Sequence, residues 1–112
     1  DGKISRYTVS PETFGVSRAP LEAVAGGTVQ QNAAIISRLF DDSGIAQSYP
    51  RDVQSKLKAA ADIVAVNAGA ALVAAGISDD FHSATRLAHD AIRSGKAREK
   101  LAQLAAFSNQ LP

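Results

Sequence analysis

A chain of 112 residues, 46% hydrophobic and 21% charged, has room for one domain and a modest core. With four Phe, two Tyr and no Trp, that core falls to Ala, Val, Leu and Ile, so helices can approach closely while each contact buries little area. The absence of Cys excludes disulfides and thiolate metal sites, and 12 basic against 11 acidic residues give no electrostatic footprint for nucleic acid or an anionic membrane. No apolar run is expected to reach the length of a membrane span.

The segment from Ile4 to Val9 alternates in polarity and is rich in β-formers, which predicts a strand. Asp1-Gly2 just before it is a pair favoured in two-residue hairpin turns. Together they read as the second half of a hairpin whose first strand is missing, so the polypeptide is expected to start partway through a larger folded unit. A flexible Asp-Gly without structural meaning accounts for the dipeptide equally well. Asp1-Gly2-Lys3 carries neither an initiator Met nor a signal-peptide h-region, which reads as a cut or processed end.

From Ser10 to Gly27 the pattern is irregular, broken by Pro11, Gly15, Pro20, Gly26 and Gly27. Pro11 suits the first position of a single helical turn. A connection this long must wrap against something. Thr28 and Gln31 form a T-x-x-Q capping box, predicting a helix to about Asp41 with Val29, Ala33, Ile36 and Phe40 on its apolar face. Gly44 and Tyr49-Pro50 bound a loop. Pro50 then opens a long helix through Ala75, stopped by Gly76. Apolar residues occur on so many of its faces that it is expected to be central and buried nearly all round.

Asp79 or Asp80 caps the next helix, which carries Phe81, Ala84, Leu87, Ala88, Ala91 and Ile92 on one stripe and ends at Gly95. A last helix runs from about Lys96 to Ser108, using Ala97, Leu101, Leu104 and Ala105. The fold class read from this order is mainly α, with four helices and one N-terminal strand.

Few constellations suggest chemistry. Gly26-Gly27-Thr28 before a helix can hold a phosphate on free amides, or can simply turn the chain and cap it. Asp79, Asp80 and His82 can suggest a metal, but Asp at a helix start also serves the cap and the dipole. His82 and His89 share a helix face, and two histidines alone make a poor site. Lys96, Arg98 and Lys100 read as a solvated face. Asn67, in mid-helix among Ala and Val, needs a hydrogen-bond partner, with a neighbouring loop favoured over a ligand. Gly69, costly in a helix, points to close backbone packing. No nucleophile, base and oxyanion set is recognisable. No catalytic, cofactor-binding or metal residue is therefore expected here.

Several ordered segments carry a resemblance. They are Tyr7 to Gly15 (YTVSPETFG), Arg18 to Leu21 (RAPL), Gly26-Gly27-Thr28 with Gln31-Asn32-Ala33, Asp62 to Leu72 (DIVAVNAGAAL) and Ser94 to Ala97 (SGKA). In this order, over almost the whole chain, they resemble the anthranilate phosphoribosyltransferase family; Gln47 to Ala61 is longer and less typical than the family's link there. The resemblance implies a small helical domain plus a larger α/β domain of the phosphoribosyltransferase and nucleoside phosphorylase-like kind. Residues 1–112 would be the C-terminal portion of the latter. It further implies transfer of phosphoribose from phosphoribosyl pyrophosphate to anthranilate in tryptophan biosynthesis, in the cytoplasm, with Mg²⁺ on the leaving pyrophosphate.

The family's G-T-G-G-D loop, K-H-G-N-R segment and paired Asp-Glu motif lie upstream of the matched region, so the segment alone is expected to be inactive. The family dimerises through the helical domain. The implied partners are the remaining N-terminal part and, for the segment by itself, another copy. A non-catalytic, nucleic-acid-binding homologue and a free-standing helical interaction module are the alternative readings.

Overall fold

A computed structural model describes residues 2–41 and 45–112. Among them are four α-helices: α1 (Val29–Leu39), α2 (Arg51–Ala74), α3 (Phe81–Arg93) and α4 (Lys96–Ser108). Short 3-10 turns occur at Pro11–Phe14, Leu21–Ala23 and Ile45–Ser48.

Local chemistry sets the helix ends. The Thr28 hydroxyl accepts from the Gln31 amide at 3.2 Å, and the Gln31 side-chain oxygen accepts from the Thr28 amide at 2.9 Å. This is the reciprocal capping box the sequence predicts. The helix stops at Leu39, two residues before the expected Asp41, with Phe40 as its C-cap.

Pro50 precedes α2 as its N-cap, and the Gln54 carboxamide reaches back to donate to the carbonyls of Tyr49 (2.6 Å) and Gln47 (3.2 Å). The Arg38 guanidinium lies 5.7 Å from the centre of the Tyr49 ring, tying the end of α1 to the start of α2. At the other end of α2, Gly76 takes φ 70°, the Gly76 amide donates to Val73 and the Ile77 amide to Leu72. That pair of bonds is a Schellman motif, which satisfies the last carbonyls. Asp80, rather than Asp79, caps α3, its carboxylate accepting from the Ser83 amide at 2.8 Å.

Packing centres on α2, which meets α1, α3 and both early turns. Its seam with α3 is built from small residues: Ala65 and Gly69 on one side, Ala84, Thr85 and Ala88 on the other. Ala65 and Ala84 are 0% exposed. A Cβ on Gly69 would sit 2.6 Å from the Thr85 hydroxyl oxygen and 3.0 Å from its amide nitrogen. Close backbone packing is therefore the reason for this glycine, as expected. Thr85 resolves its own burial by donating to the Phe81 carbonyl at 2.7 Å.

The long lead-in does wrap against a support. Phe14 is buried with its ring centre 4.8 Å from that of Phe81, and Tyr7 approaches the same ring at 6.1 Å. Gly15, at φ 75°, lies so close under His82 that a Cβ there would stand 2.3 Å from the imidazole.

Three expectations are corrected. Ile4 to Val9 forms no strand, and no other described segment is one. A strand exists only through ladder bonds to a neighbour, and none is in place to supply them. The Asp1 half of the expected hairpin turn and the Gly44 loop lie outside the described residues. The long helix is central but not buried all round, since Ile63 and Val64 remain 43% and 39% exposed. By length and composition α2 also meets the requirement for a membrane-crossing helix. The sequence expectation missed this because Lys58, Asp62 and Asn67 interrupt the apolar run.

The surface area shows how open the structure is. Its accessible area is 8450 Å² for 11.6 kDa, whereas a compact monomer of that mass exposes about 5,800 Å². The radius of gyration, 15.7 Å, likewise exceeds the roughly 13 Å of a compact chain this long.

Candidate functional site

The Gly26-Gly27-Thr28 turn is occupied by its own helix. The Gly27 amide donates to the Asn32 side chain at 2.8 Å, the Thr28 amide to Gln31, and the Asn32 amide group returns a bond to the Gly27 carbonyl at 3.3 Å. The Gly27 and Thr28 amides are thus spent on capping.

The Asp79, Asp80 and His82 group does not gather into a site. Asp80 faces the Ser83 amide, and this hydrogen bond is the main cause holding its carboxyl below the usual range. His82 lies over Gly15 instead. His82 and His89 do share a helix face, but seven residues of helix separate them by roughly 10 Å, too far for one ion. Lys96, Arg98 and Lys100 are exposed, with Lys100 donating to Gln103 at 3.0 Å. The Asn67 carboxamide donates to the Ile63 carbonyl of its own helix at 2.8 Å, not to a loop. The sequence could not choose between these partners, because an Asn with no loop beside it bonds back along the helix.

One polar cluster was not singled out from the sequence. The Asp62 carboxylate, 14% exposed, accepts from the Lys58 ammonium at 2.5 Å and faces His89 Nε2 at 3.3 Å. Lys58 and Asp62 are one turn apart on α2, and His89 comes from α3. The sequence signal was the Lys58–Asp62 spacing alone. Adding His89 requires knowing that two helices pair. Asp62 meets Lys58 along α2 and His89 across the seam, so the cluster joins α2 to α3.

Asp62 also lines two open grooves, of about 580 Å³ and 300 Å³, between the 9–24 segment and α2. Part of their charged lining is paired: Arg18 holds Glu12 at 3.0 Å and Lys58 holds Asp62. Glu12 is held below the ordinary carboxylate range chiefly by the Ser10 hydroxyl, with Arg18 adding to it. Among the described residues no group of three or more His, Asp or Glu is placed to hold a metal ion. The carboxylate oxygens of Asp62 and Asp80 face Lys58, His89 and Ser83.

Among the described residues, then, stand an Ala-rich helical layer and an open apolar surface. The chain belongs to the glycosyl transferase family, a/b domain, whose family model matches residues 1–98. Three of its relatives share one name. It is 44% identical over 108 residues to the anthranilate phosphoribosyltransferase of Desulfosudis oleivorans, covering 96% of this chain and 28% of that protein. It is 41% identical over 98 residues to the anthranilate phosphoribosyltransferase of Haloferax volcanii, covering 88% of this chain and 26% of that protein. With the enzyme of that name from Herpetosiphon aurantiacus the identity is 39% over 102 residues, covering 91% and 27%. The chain therefore spans a little over a quarter of the length of these relatives. No solved structure matches it.

Proposed function

We propose that this chain is the C-terminal segment of the α/β domain of an anthranilate phosphoribosyltransferase. The enzyme would transfer phosphoribose from phosphoribosyl pyrophosphate to the amino group of anthranilate in the cytoplasm, as a step of tryptophan biosynthesis. The observation that carries this reading is the combination of near-complete coverage of this chain with coverage of only 28% of the Desulfosudis oleivorans relative. The segment's contribution is architectural: α2 and α3 form a close-packed platform on which the lead-in segment and α1 are laid. Binding of both substrates and of Mg²⁺ on the leaving pyrophosphate belongs to the rest of the enzyme. Alone, the segment exposes apolar surface that draws copies together at high concentration.

The test uses two proteins. One is the 112-residue chain; the other is the Desulfosudis oleivorans enzyme with its matching residues replaced by this chain. With anthranilate, phosphoribosyl pyrophosphate and Mg²⁺, the chain alone is expected to show no turnover and the chimera to be active. Turnover by the chain alone refutes its purely architectural role. A chimera that neither folds nor turns over refutes membership in such an enzyme.

A further inference from the structure

The outward face of α2 carries Ala60, Ile63, Val64, Asn67, Ala71 and Ala74, which the three- and four-residue spacing of a helix brings into one stripe. An outward helix face in a self-contained soluble domain is polar. Here Asn67 is the one polar residue among the six. The stripe is a low ridge between two apolar grooves, about 330 Å³ toward α1 and about 550 Å³ toward α3, and Val64 lines both. The apolar surface is thus continuous across three helices.

We infer that this ridge and its grooves are a permanently covered intradomain contact, seated against an apolar layer that presents a hydrogen-bond donor to Asn67. The inference rests on the reading that the chain is part of a longer enzyme. The occupant follows from area and length. The surface exceeds that of a compact monomer by about 2,600 Å², while one partner of an ordinary interface buries about 800 Å². A second copy on one self-complementary patch leaves most of that excess in water. The relatives, by contrast, have more than three times this length, since the chain covers 28% of the Desulfosudis oleivorans protein. The remainder of the same domain is therefore the occupant.

Asn67 supplies the chemical detail. Its amide group is bound to the Ile63 carbonyl, while its side-chain oxygen accepts no hydrogen bond from the described residues. Solvent satisfies that oxygen while the face is open. Under an apolar layer an unpaired carboxamide oxygen is costly, so the layer must bring an N–H or O–H to it.

Because the chain contains no Cys, a single Ala71→Cys substitution reports on the face. Labelling by a water-soluble maleimide, read by peptide mass at position 71, is compared between the 112-residue chain and the chimera. Fast labelling in the chain and labelling at least 100-fold slower in the chimera are expected, with a Glu99→Cys control fast in both. Asn67→Leu in the chimera should speed labelling at position 71 about ten-fold, while leaving the helicity of the 112-residue chain unchanged. Two outcomes overturn the inference while leaving the functional reading intact. One is an active chimera that labels as fast as the chain, and the other is protection in the chimera that appears only as its concentration rises, which assigns the face to a second copy. A chimera without turnover or fold removes both.

Discussion

Gly69→Ala sets two effects of known sign against each other. Replacing a helical glycine by alanine favours the helix by about 1 kcal/mol. Against this, the new Cβ would lie 2.6 Å from the Thr85 hydroxyl oxygen, 3.0 Å from its nitrogen and 3.1 Å from its Cα, where ordinary contact begins at 3.4 Å. The hydroxyl cannot swing clear without losing its 2.7 Å bond to the Phe81 carbonyl, and the two backbone atoms move only if α3 moves. Separating α2 and α3 by several tenths of an ångström loosens the whole seam of Ala65, Ala84 and Ala88. Overpacking of this kind costs about 1–3 kcal/mol. Contacts to two backbone atoms of α3 put the cost in the upper half of that range, so the steric effect wins, giving a net loss of about 1–2 kcal/mol. Urea unfolding followed by circular dichroism should show the midpoint lowered by roughly 0.5–1 M. Adding Thr85→Ala should restore only part, because the backbone contacts remain. A Gly69→Ala chain as stable as the parent, or more so, would mean that the seam is not as close as described and would refute the argument.

Phe14→Ala removes the ring that holds the lead-in segment to Phe81, and should cost about 3 kcal/mol; limited proteolysis should then cut first within residues 10–27, and unchanged resistance there contradicts the packing described. Asp80 gives a pH prediction. Its carboxyl is held below its ordinary 3.8 by the Ser83 amide, so its contribution to α3 is complete above that value and is lost as pH falls through the lower folded value. Asp80→Asn keeps an acceptor but no titrating charge, so the acid limb of the stability profile should flatten below about pH 4, leaving the share due to Glu12. An unchanged limb refutes the role of the cap.

What the sequence made legible is what neighbours along the chain decide. The capping box at Thr28 and Gln31, the stop at Gly76, the turn opened by Pro11 and the packing role of Gly69 all depend on residues a few positions apart or on one residue's conformational cost. What it did not reveal depends on distant partners. Whether Ile4 to Val9 becomes a strand is decided by another strand, and whether α2 is covered all round is decided by what lies against Ile63 and Val64. Asp62 and His89 are 27 positions apart, so their pairing becomes visible only once α2 and α3 are laid together. The roles of Gly26-Gly27-Thr28 and of the Asp79, Asp80 and His82 group could be anticipated only in part, since each had a capping and a ligand reading until the hydrogen bonds of Thr28 and Asp80 were seen.

The small-residue seam has a consequence for how the chain comes together. The six residues 75–80 are all that separate α2 from α3, so bringing the two helices side by side closes a very short loop, at little entropic cost. The fit at Gly69 and Thr85 then leaves little freedom to slide, since a shift along the axis sets larger side chains against a gap sized for none. Partner choice and alignment are settled within a stretch of chain that leaves the ribosome in one piece. Everything that must come from farther away can therefore arrive at a surface whose shape is already fixed.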